Sequence, residues 1–289
     1  MSRFTPDLLL LVPAYNEEKR IGLALARTMR DLDQQGWRYE IIVVDDGSAD
    51  ATSAAVQEVA QGRDAGGTSA VMPPSVRLLR NERNRGKGYS VRRGVLASRG
   101  TYIGFADADY KTHIESIEEV LRCFREGCDV AMGSRVLPES RIEREQPDHR
   151  RGGGRLFNGM LRMILGMKRF GDTQCGFKAF RSEAARIIFR NTTVDRFGFD
   201  VEVLFLAQKN GLSVEEFPVQ WYYGPSSTMH VARDGCLMFL DVLRIWFNDI
   251  RGKYRIEPFS GPVIHGARNP ITQAGNARST SKNSNDIEV

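Results

Sequence analysis

Between residues 8 and 135, short strand-like runs alternate with stretches of helical periodicity, and this alternation constrains the fold more than any other feature of the chain. The runs are Leu8–Val12, Glu40–Val44, Arg77–Arg80, Tyr102–Phe105 and Asp129–Met132. Each is too short for a buried helix and ends in turn-forming or charged residues. Leu8–Val12 is apolar throughout, the pattern of a strand covered on both faces. Strands repeated with intervening helices argue for an α/β fold with a parallel, doubly wound sheet.

The helices between them carry readable signals. Asn16 resembles an N-cap, Glu17 and Glu18 suit a first turn, and Ile21, Leu25 and Met29 share a face before Gly36 closes the helix. A second helix is capped by Ser48 or Asp50 and runs to about Gln61. Gly86 and Gly88 loosen the backbone around Lys87 ahead of a third, which ends near Ser98. The fourth covers Ile114–Arg125. Residues 62–75, rich in Gly, Pro and Ser, read as a mobile surface loop.

Charge collects where these strands stop. The second ends in Asp45 and Asp46, the fourth in Asp107 and Asp109, and the fifth reaches Arg135. In an open α/β sheet, ligands bind beyond the carboxyl ends of the strands. Carboxylates at that depth are costly unless a cation offsets them, and a divalent metal carrying a nucleotide diphosphate would do so at Asp107 and Asp109. The plainer reading, acids as turn formers and helix caps, applies with most force to Asp45 and Asp46.

After Leu137 the composition shifts to charge as far as Arg151, which reads as a flexible loop containing Arg141 and Arg144. Next, Leu156, Phe157, Met160, Leu161 and Ile164 share a helical face flanked by Arg155, Arg162, Lys168 and Arg169. Such a face either packs on a core or lies in an anionic membrane interface. A short strand at Gly176–Phe180 precedes a helix capped by Ser182, and a further helix carries Asp200 and Glu202 near its start. Ser213–Phe217 and Val219–Tyr223 read as strands joined at Pro218. Helix Arg233–Tyr254 has an apolar face of Leu237, Leu240, Leu243, Phe247, Ile250 and Tyr254, and a narrow polar stripe that includes Asp234, Asp241, Asn248 and Arg251. Residues 258–289 lack apolar periodicity and read as a disordered tail, leaving residues 1–257 as one domain.

Bulk properties exclude several classes. In 289 residues, 41 basic against 36 acidic side chains give a net charge of +5, a mild excess suited to anionic ligands. No basic stripe interleaved with stacking aromatics is present, so nucleic-acid binding is not expected. Cys123, Cys128, Cys175 and Cys236 lack zinc-ligand spacing and read as free thiols of a reducing compartment. No apolar run approaches the length of a membrane span.

Six stretches then coincide: VPAYNE at 12–17, VVDDGS at 43–48, NRGKG at 84–88, DAD at 107–109, GSR at 133–135 and DTQCGFKAF at 172–180. Together they resemble the family 2 glycosyltransferases of the GT-A fold, most closely the dolichyl-phosphate β-glucosyltransferases among polyprenyl-phosphate glycosyltransferases. The likeness spans roughly residues 7 to 255 and implies one GT-A domain with a mostly parallel central sheet. It implies base and ribose contacts at Pro13, Tyr15, Glu17, Asp45 and Asp46, with Mg²⁺ or Mn²⁺ held against the diphosphate by Asp107 and Asp109. It further implies phosphate neutralisation by Lys87 and acceptor-phosphate binding by Arg135.

The implied reaction is an inverting displacement on a nucleotide sugar, most simply UDP-glucose, with a polyprenyl or dolichyl phosphate as acceptor at the cytosolic face of a membrane. On the acceptor side stand Arg135, Arg141 and Arg144, together with Asp172 and Asp200, which would be the candidate bases for a hydroxyl acceptor. The chain departs from the mannosyl branch, where a glutamine often follows the D-x-D two residues later, by placing Lys111 there. Transfer to a soluble acceptor, a GDP-mannose-dependent reaction and a catalytically silent nucleotide-sugar binder are the alternatives.

Overall fold

The computed structural model describes residues 7–62, 76–111, 117–143, 148–222 and 231–254. A seven-stranded sheet forms its centre, built from β1 (Leu8–Ala14), β2 (Tyr39–Asp45), β3 (Val76–Arg80), β4 (Tyr102–Phe105), β5 (Val130–Ser134), β7 (Lys178–Arg181) and β8 (Val214–Pro218). Its order is β3-β2-β1-β4-β7-β5-β8. A two-stranded ribbon pairs β6 (Arg141–Ile142) with β9 (Gln220–Trp221). The helices are α1 (Ile21–Gln34), α2 (Thr52–Ala60), α3 (Lys87–Ala97), α4 (Ile117–Arg125), α5 (Asp148–Leu165), α6 (Ser182–Asn191), α7 (Phe199–Lys209) and α8 (Val231–Ile250).

The all-apolar β1 lies inside the sheet, between β2 and β4, with both its faces covered. Leu9 and Leu11 pack with Val91 of α3 and Phe199 of α7 on one side. Leu8, Leu10 and Val12 pack with Leu25 of α1 and Val120 of α4 on the other. Burying each such side chain contributes about 1.5–3 kcal/mol, so the register of this strand is strongly specified.

One strand departs from a wholly parallel sheet. β7 inserts antiparallel between β4 and β5, with Lys178 opposite both Phe105 and Met132. It brings residues 175–181, distant in sequence, alongside the end of β4.

Several local expectations are corrected. Asn16 does not cap α1, which begins at Ile21; its backbone is left-handed at φ 54°. The charged stretch after Leu137 is not wholly irregular, since it contains β6 and enters α5 at Asp148. Residues 144–147, and with them Arg144, lie outside the described residues, as do the expected mobile loop from residue 63 to 75 and the expected tail. The run expected to begin at Val219 does not join the main sheet, because β9 pairs only with β6.

The two amphipathic helices meet the core differently, α5 by the face its pattern marks and α8 not. On α5, Leu161 is buried and Phe157, Met160 and Ile164 pack against the core, leaving Leu156 and Met163 exposed at 79% and 81%. On α8 the polar stripe turns inward: Asp241 and Asn248 are buried beside Met238, Val242 and Ile245. Leu240, Phe247 and Ile250, on the apolar face that its pattern leaves either buried or at a membrane interface, are exposed with Phe239 and Trp246. Asn248 Nδ2 reaches Thr193 Oγ1 at 3.1 Å and the Tyr254 hydroxyl at 3.3 Å, which answers for its burial. Among the described residues no helix is long and apolar enough to cross a membrane.

Candidate active site

The loops that follow β1 and β2 are stitched together by backbone donors. The Asn16 N–H donates to Ser48 Oγ at 2.9 Å, the Glu17 N–H to Thr52 Oγ1 at 2.7 Å, and the Ala49 N–H to Asn16 Oδ1 at 2.9 Å. These bonds explain the left-handed Asn16, whose short polar side chain tolerates that conformation. Asp50 Oδ1 accepts the Thr52 N–H at the start of α2, but the cap position falls to Ala51 and not to Ser48 or Asp50 as expected. Pro13, Tyr15 and Glu17 are thereby set along one wall of a cavity of about 550 Å³. Burial pushes the Glu17 carboxyl up, Asp109 adds to the effect, and Arg20 at 2.6 Å opposes it.

The acidic pair at the end of β2 divides its duties. Asp45 turns away and accepts from the Ser48 N–H, from Ser53 Oγ and from Arg80 at 3.0 Å, so it braces the loop and does not line the cavity. Asp46 lines it, accepting from Asn81 Nδ2 at 2.6 Å and from the Arg85 and Gly86 N–H groups at 2.9 and 2.7 Å. Through those two backbone bonds Asp46 fixes the entry to α3, whose first residue is Lys87.

Gly86 has φ 104°, and a Cβ there would fall 2.4 Å from the Asp195 carbonyl oxygen. Only glycine accepts both conditions. The close approach draws the 192–198 segment against α3 and places Arg196 and Phe197 on the cavity wall. Glu202 holds the same segment from beneath, accepting from the Thr193 and Val194 N–H groups at 2.8 Å and from the Tyr254 hydroxyl at 2.5 Å.

Asp107 and Asp109 leave the end of β4 and face the cavity with a lysine apiece. Lys87 Nζ is 2.6 Å from Asp107, and Lys111 Nζ is 2.6 Å from Asp109. Burial alone would lower the Lys87 pKa, but Asp107, Asp200 and Asp109 outweigh it and hold the group firmly protonated. Gly176, delivered by the segment before β7, makes room for Asp107: a Cβ there would stand 2.1 Å from Asp107 Oδ2.

Two hard carboxylates in a cavity fit a divalent ion whose other ligands come from a diphosphate and water, the usual arrangement for Mg²⁺. Among the described residues no three carboxylate, histidine or cysteine side chains converge as a metal-binding group.

The acceptor-side residues named from the sequence do not gather here. Arg135 binds Asp172 through Nε at 2.6 Å and Nη2 at 2.8 Å, beneath the Trp221 ring. Burial would raise the Asp172 pKa, but Arg135 outweighs that and holds it below the ordinary value. Asp200 pairs with the buried Lys178 at 2.6 Å, and Arg141 is exposed on β6. None of the four lines the cavity.

The cations that do line it, besides the lysines, include Arg196 and Arg233. Arg196 opens the RFGFD stretch at residues 196–200, where the Arg-Phe-Gly turn is its only sequence signal. Arg233 and Asp241 are hidden in a helix whose pattern is dominated by its apolar face. Leu237 and Met238 complete that wall.

A family model described as glycosyl transferase family 2 matches residues 10–189. The chain belongs to glycosyltransferase family 2. This family 2 enzyme is 33% identical over 263 residues to dolichyl-phosphate beta-glucosyltransferase of Dictyostelium discoideum, an alignment covering 86% of the chain and 77% of that relative. The human protein of the same name is 34% identical, with 88% of the chain and 79% of the relative covered. That of Saccharomyces cerevisiae is 33% identical, with 86% and 76% covered. Among solved structures, glucosyl-3-phosphoglycerate synthase from Mycobacterium tuberculosis, in complex with Mn²⁺, UDP and phosphoglyceric acid, superposes with a TM-score of 0.59 at 18% identity, covering 89% of this chain and 81% of that one. The likeness establishes the α/β glycosyltransferase fold with its mostly parallel sheet.

Proposed function

We propose that this glycosyltransferase moves glucose from UDP-glucose to the phosphate of dolichol or another polyprenol, with inversion, while resting peripherally on the cytosolic face of a membrane. The observation that carries the reading is the convergence of Asp46, Lys87, Asp107 and Asp109 on one cavity. Relatives named dolichyl-phosphate beta-glucosyltransferase, matched over more than three quarters of their length, support the acceptor and the sugar. The neighbouring synthase, with Mn²⁺ and UDP-glucose bound in one of its structures, supports the donor and the metal.

The chemistry follows from the cavity. An acceptor phosphate oxygen attacks the anomeric carbon as the bond to the diphosphate breaks, and the electron pair leaves with UDP. Negative charge grows on the diphosphate, and Lys87, pre-set beside Asp107, stabilises it. A divalent ion at Asp107 and Asp109 would supply further neutralisation. Asp46 and the wall formed by residues 13–15 are the surfaces offered to the nucleoside.

A lipid phosphate is already anionic at neutral pH, so no base is required. That accords with Asp172 and Asp200 being engaged by Arg135 and Lys178. Arg233 and Arg196, the latter also in a long ion pair with Asp241, line the cavity where Arg135 does not, and are the cations assigned to the acceptor phosphate. One observation favours a second reading, transfer to a hydroxyl: Asp241 lines the cavity with an unpaired oxygen that can accept a proton.

Membrane attachment rests on α8. Its outward face carries Phe239, Leu240, Trp246, Phe247 and Ile250, the last 63% exposed, while the same helix supplies a cavity wall. An apolar face with Arg233 and Arg244 on the same helix and Arg251 just beyond its end suits an anionic bilayer surface, and would bring the cavity to the lipid phosphate.

Incubation with labelled UDP-glucose and dolichyl phosphate, beside a GDP-mannose control, tests the proposal. Label should enter the organic phase only from UDP-glucose, and Asp109→Asn should abolish it. Label that stays in water-soluble product would overturn the lipid acceptor. Flotation with anionic vesicles checks the membrane surface; a Trp246, Phe247 and Ile250 to Ser replacement should lose binding.

A further inference from the structure

Asp241 stands out among the cavity residues. It is 3% exposed, and its Oδ2 has no hydrogen-bond partner among the described residues. Its Oδ1 lies 3.6 Å from Arg196 Nη2, an ion pair longer than a hydrogen bond. Burial pushes this carboxyl up, against the opposing pull of Arg196, Arg244 and the nearby Gly198 backbone. A buried carboxylate oxygen left unpaired costs several kcal/mol, so its persistence in a cavity wall points to a ligand that completes it.

The backbone holds the group in place. Gly198, just ahead of α7, approaches so closely that a Cβ there would lie 2.6 Å from Asp241 Cβ and 2.8 Å from Oδ2. Asp46, Asp107, Asp109 and Asp234 already line this cavity and a further carboxylate would repel the diphosphate, so its ligand is a neutral hydrogen-bond donor. Within a nucleotide sugar those donors are the ribose hydroxyls, the base N–H and the hydroxyls of the transferred sugar; with Asp46 and residues 13–15 offered to the nucleoside, the sugar hydroxyls are the ones left for Asp241.

Resting on the proposed function above, we infer that Asp241 Oδ2 accepts a hydrogen bond from a hydroxyl of the donor hexose and so determines which sugar the enzyme holds. Arg196, 3.6 Å from the other oxygen, favours the ionised carboxylate against the effect of burial. Sugar recognition then falls to α8, in the cavity that Asp46, Asp107 and Asp109 also line.

The test compares UDP-glucose with UDP by calorimetry, without acceptor, on the full chain. Asp241→Asn should weaken UDP-glucose binding about 10- to 100-fold and leave UDP within twofold, the loss expected for one hydrogen bond to a charged acceptor. Gly198→Ala, which shifts the carboxylate without removing it, should show the same selectivity. Wild type should bind at least one monodeoxy UDP-glucose tenfold more weakly than UDP-glucose, and Asp241→Asn should not distinguish the two.

Equal losses for UDP and UDP-glucose overturn the inference, as does unchanged UDP-glucose binding with loss of transfer, which would mark Asp241 as a base. If neither variant folds, equal binding of every monodeoxy donor to wild type overturns it too. Failure of wild type to bind UDP at all would count against the donor reading itself.

Discussion

Replacing Gly176 with alanine isolates the contribution of Asp107 without touching either aspartate. The added Cβ would lie 2.1 Å from Asp107 Oδ2 and 2.7 Å from its Cγ, so the carboxylate must retreat. Ordinary contact requires a shift of about 1 Å, enough to break the 2.6 Å pair with Lys87. A displacement of this size at a reacting centre costs roughly 100-fold in rate, equivalent to about 2.7 kcal/mol of transition-state stabilisation. Because the Asp107 side chain is 39% exposed, the fold has little at stake, and the stability loss should stay below about 1 kcal/mol. Gly159→Ala, where a Cβ meets nothing within 4 Å, is the control. Steady-state kcat/KM with UDP-glucose and dolichyl phosphate, alongside thermal melting, reads both effects. A kcat/KM within threefold of wild type at an unchanged melting temperature would refute the reasoning.

Lys178→Met should destabilise the protein by about 3–5 kcal/mol by leaving Asp200 buried and unpaired, and Lys178→Met with Asp200→Leu should recover most of the loss in denaturant melts. Asp172 has a folded-state pKa below its ordinary 3.8, so its stabilisation is fully present above that value and is lost as pH falls through the lower folded one. Wild-type stability should therefore drop on acidification below about pH 4, and Arg135→Met should be less stable at pH 7 with a flatter acid limb. Lys111→Gln removes the ammonium 2.6 Å from Asp109 and should tighten Mn²⁺ binding in the presence of UDP about tenfold, measured by calorimetry. Unchanged affinity would mean that Lys111 does not compete for that carboxylate.

Much of this enzyme is legible in the order of its residues. A short apolar run can satisfy its backbone and bury both faces only inside a covered sheet, so β1, β2, β4 and β5 are recognisable as strands. Charges that end such strands mark the ligand edge, and Asp46, Asp107, Asp109 and Lys87 do line the cavity. Less is legible where one residue type serves two purposes. Asp45 and Asp46 are adjacent and chemically identical, and only the packing of Ser53 and Arg80 assigns the first to the loop and the second to the cavity. Arg135 follows its strand as a ligand residue would, yet Asp172 arrives from 37 residues away and binds it.

The class of fold and the acidic end of the cavity are written in the chain's own pattern, because both follow from interactions between near neighbours. Three features instead required distant segments to meet: β7 running antiparallel into the sheet, Gly176 sheltering Asp107, and α8 turning its polar stripe inward. A common cause underlies them. Periodicity reports that a face differs from its opposite, whereas burial is decided by what packs against it, and on α8 the partners are Thr193, Arg196 and the cavity itself.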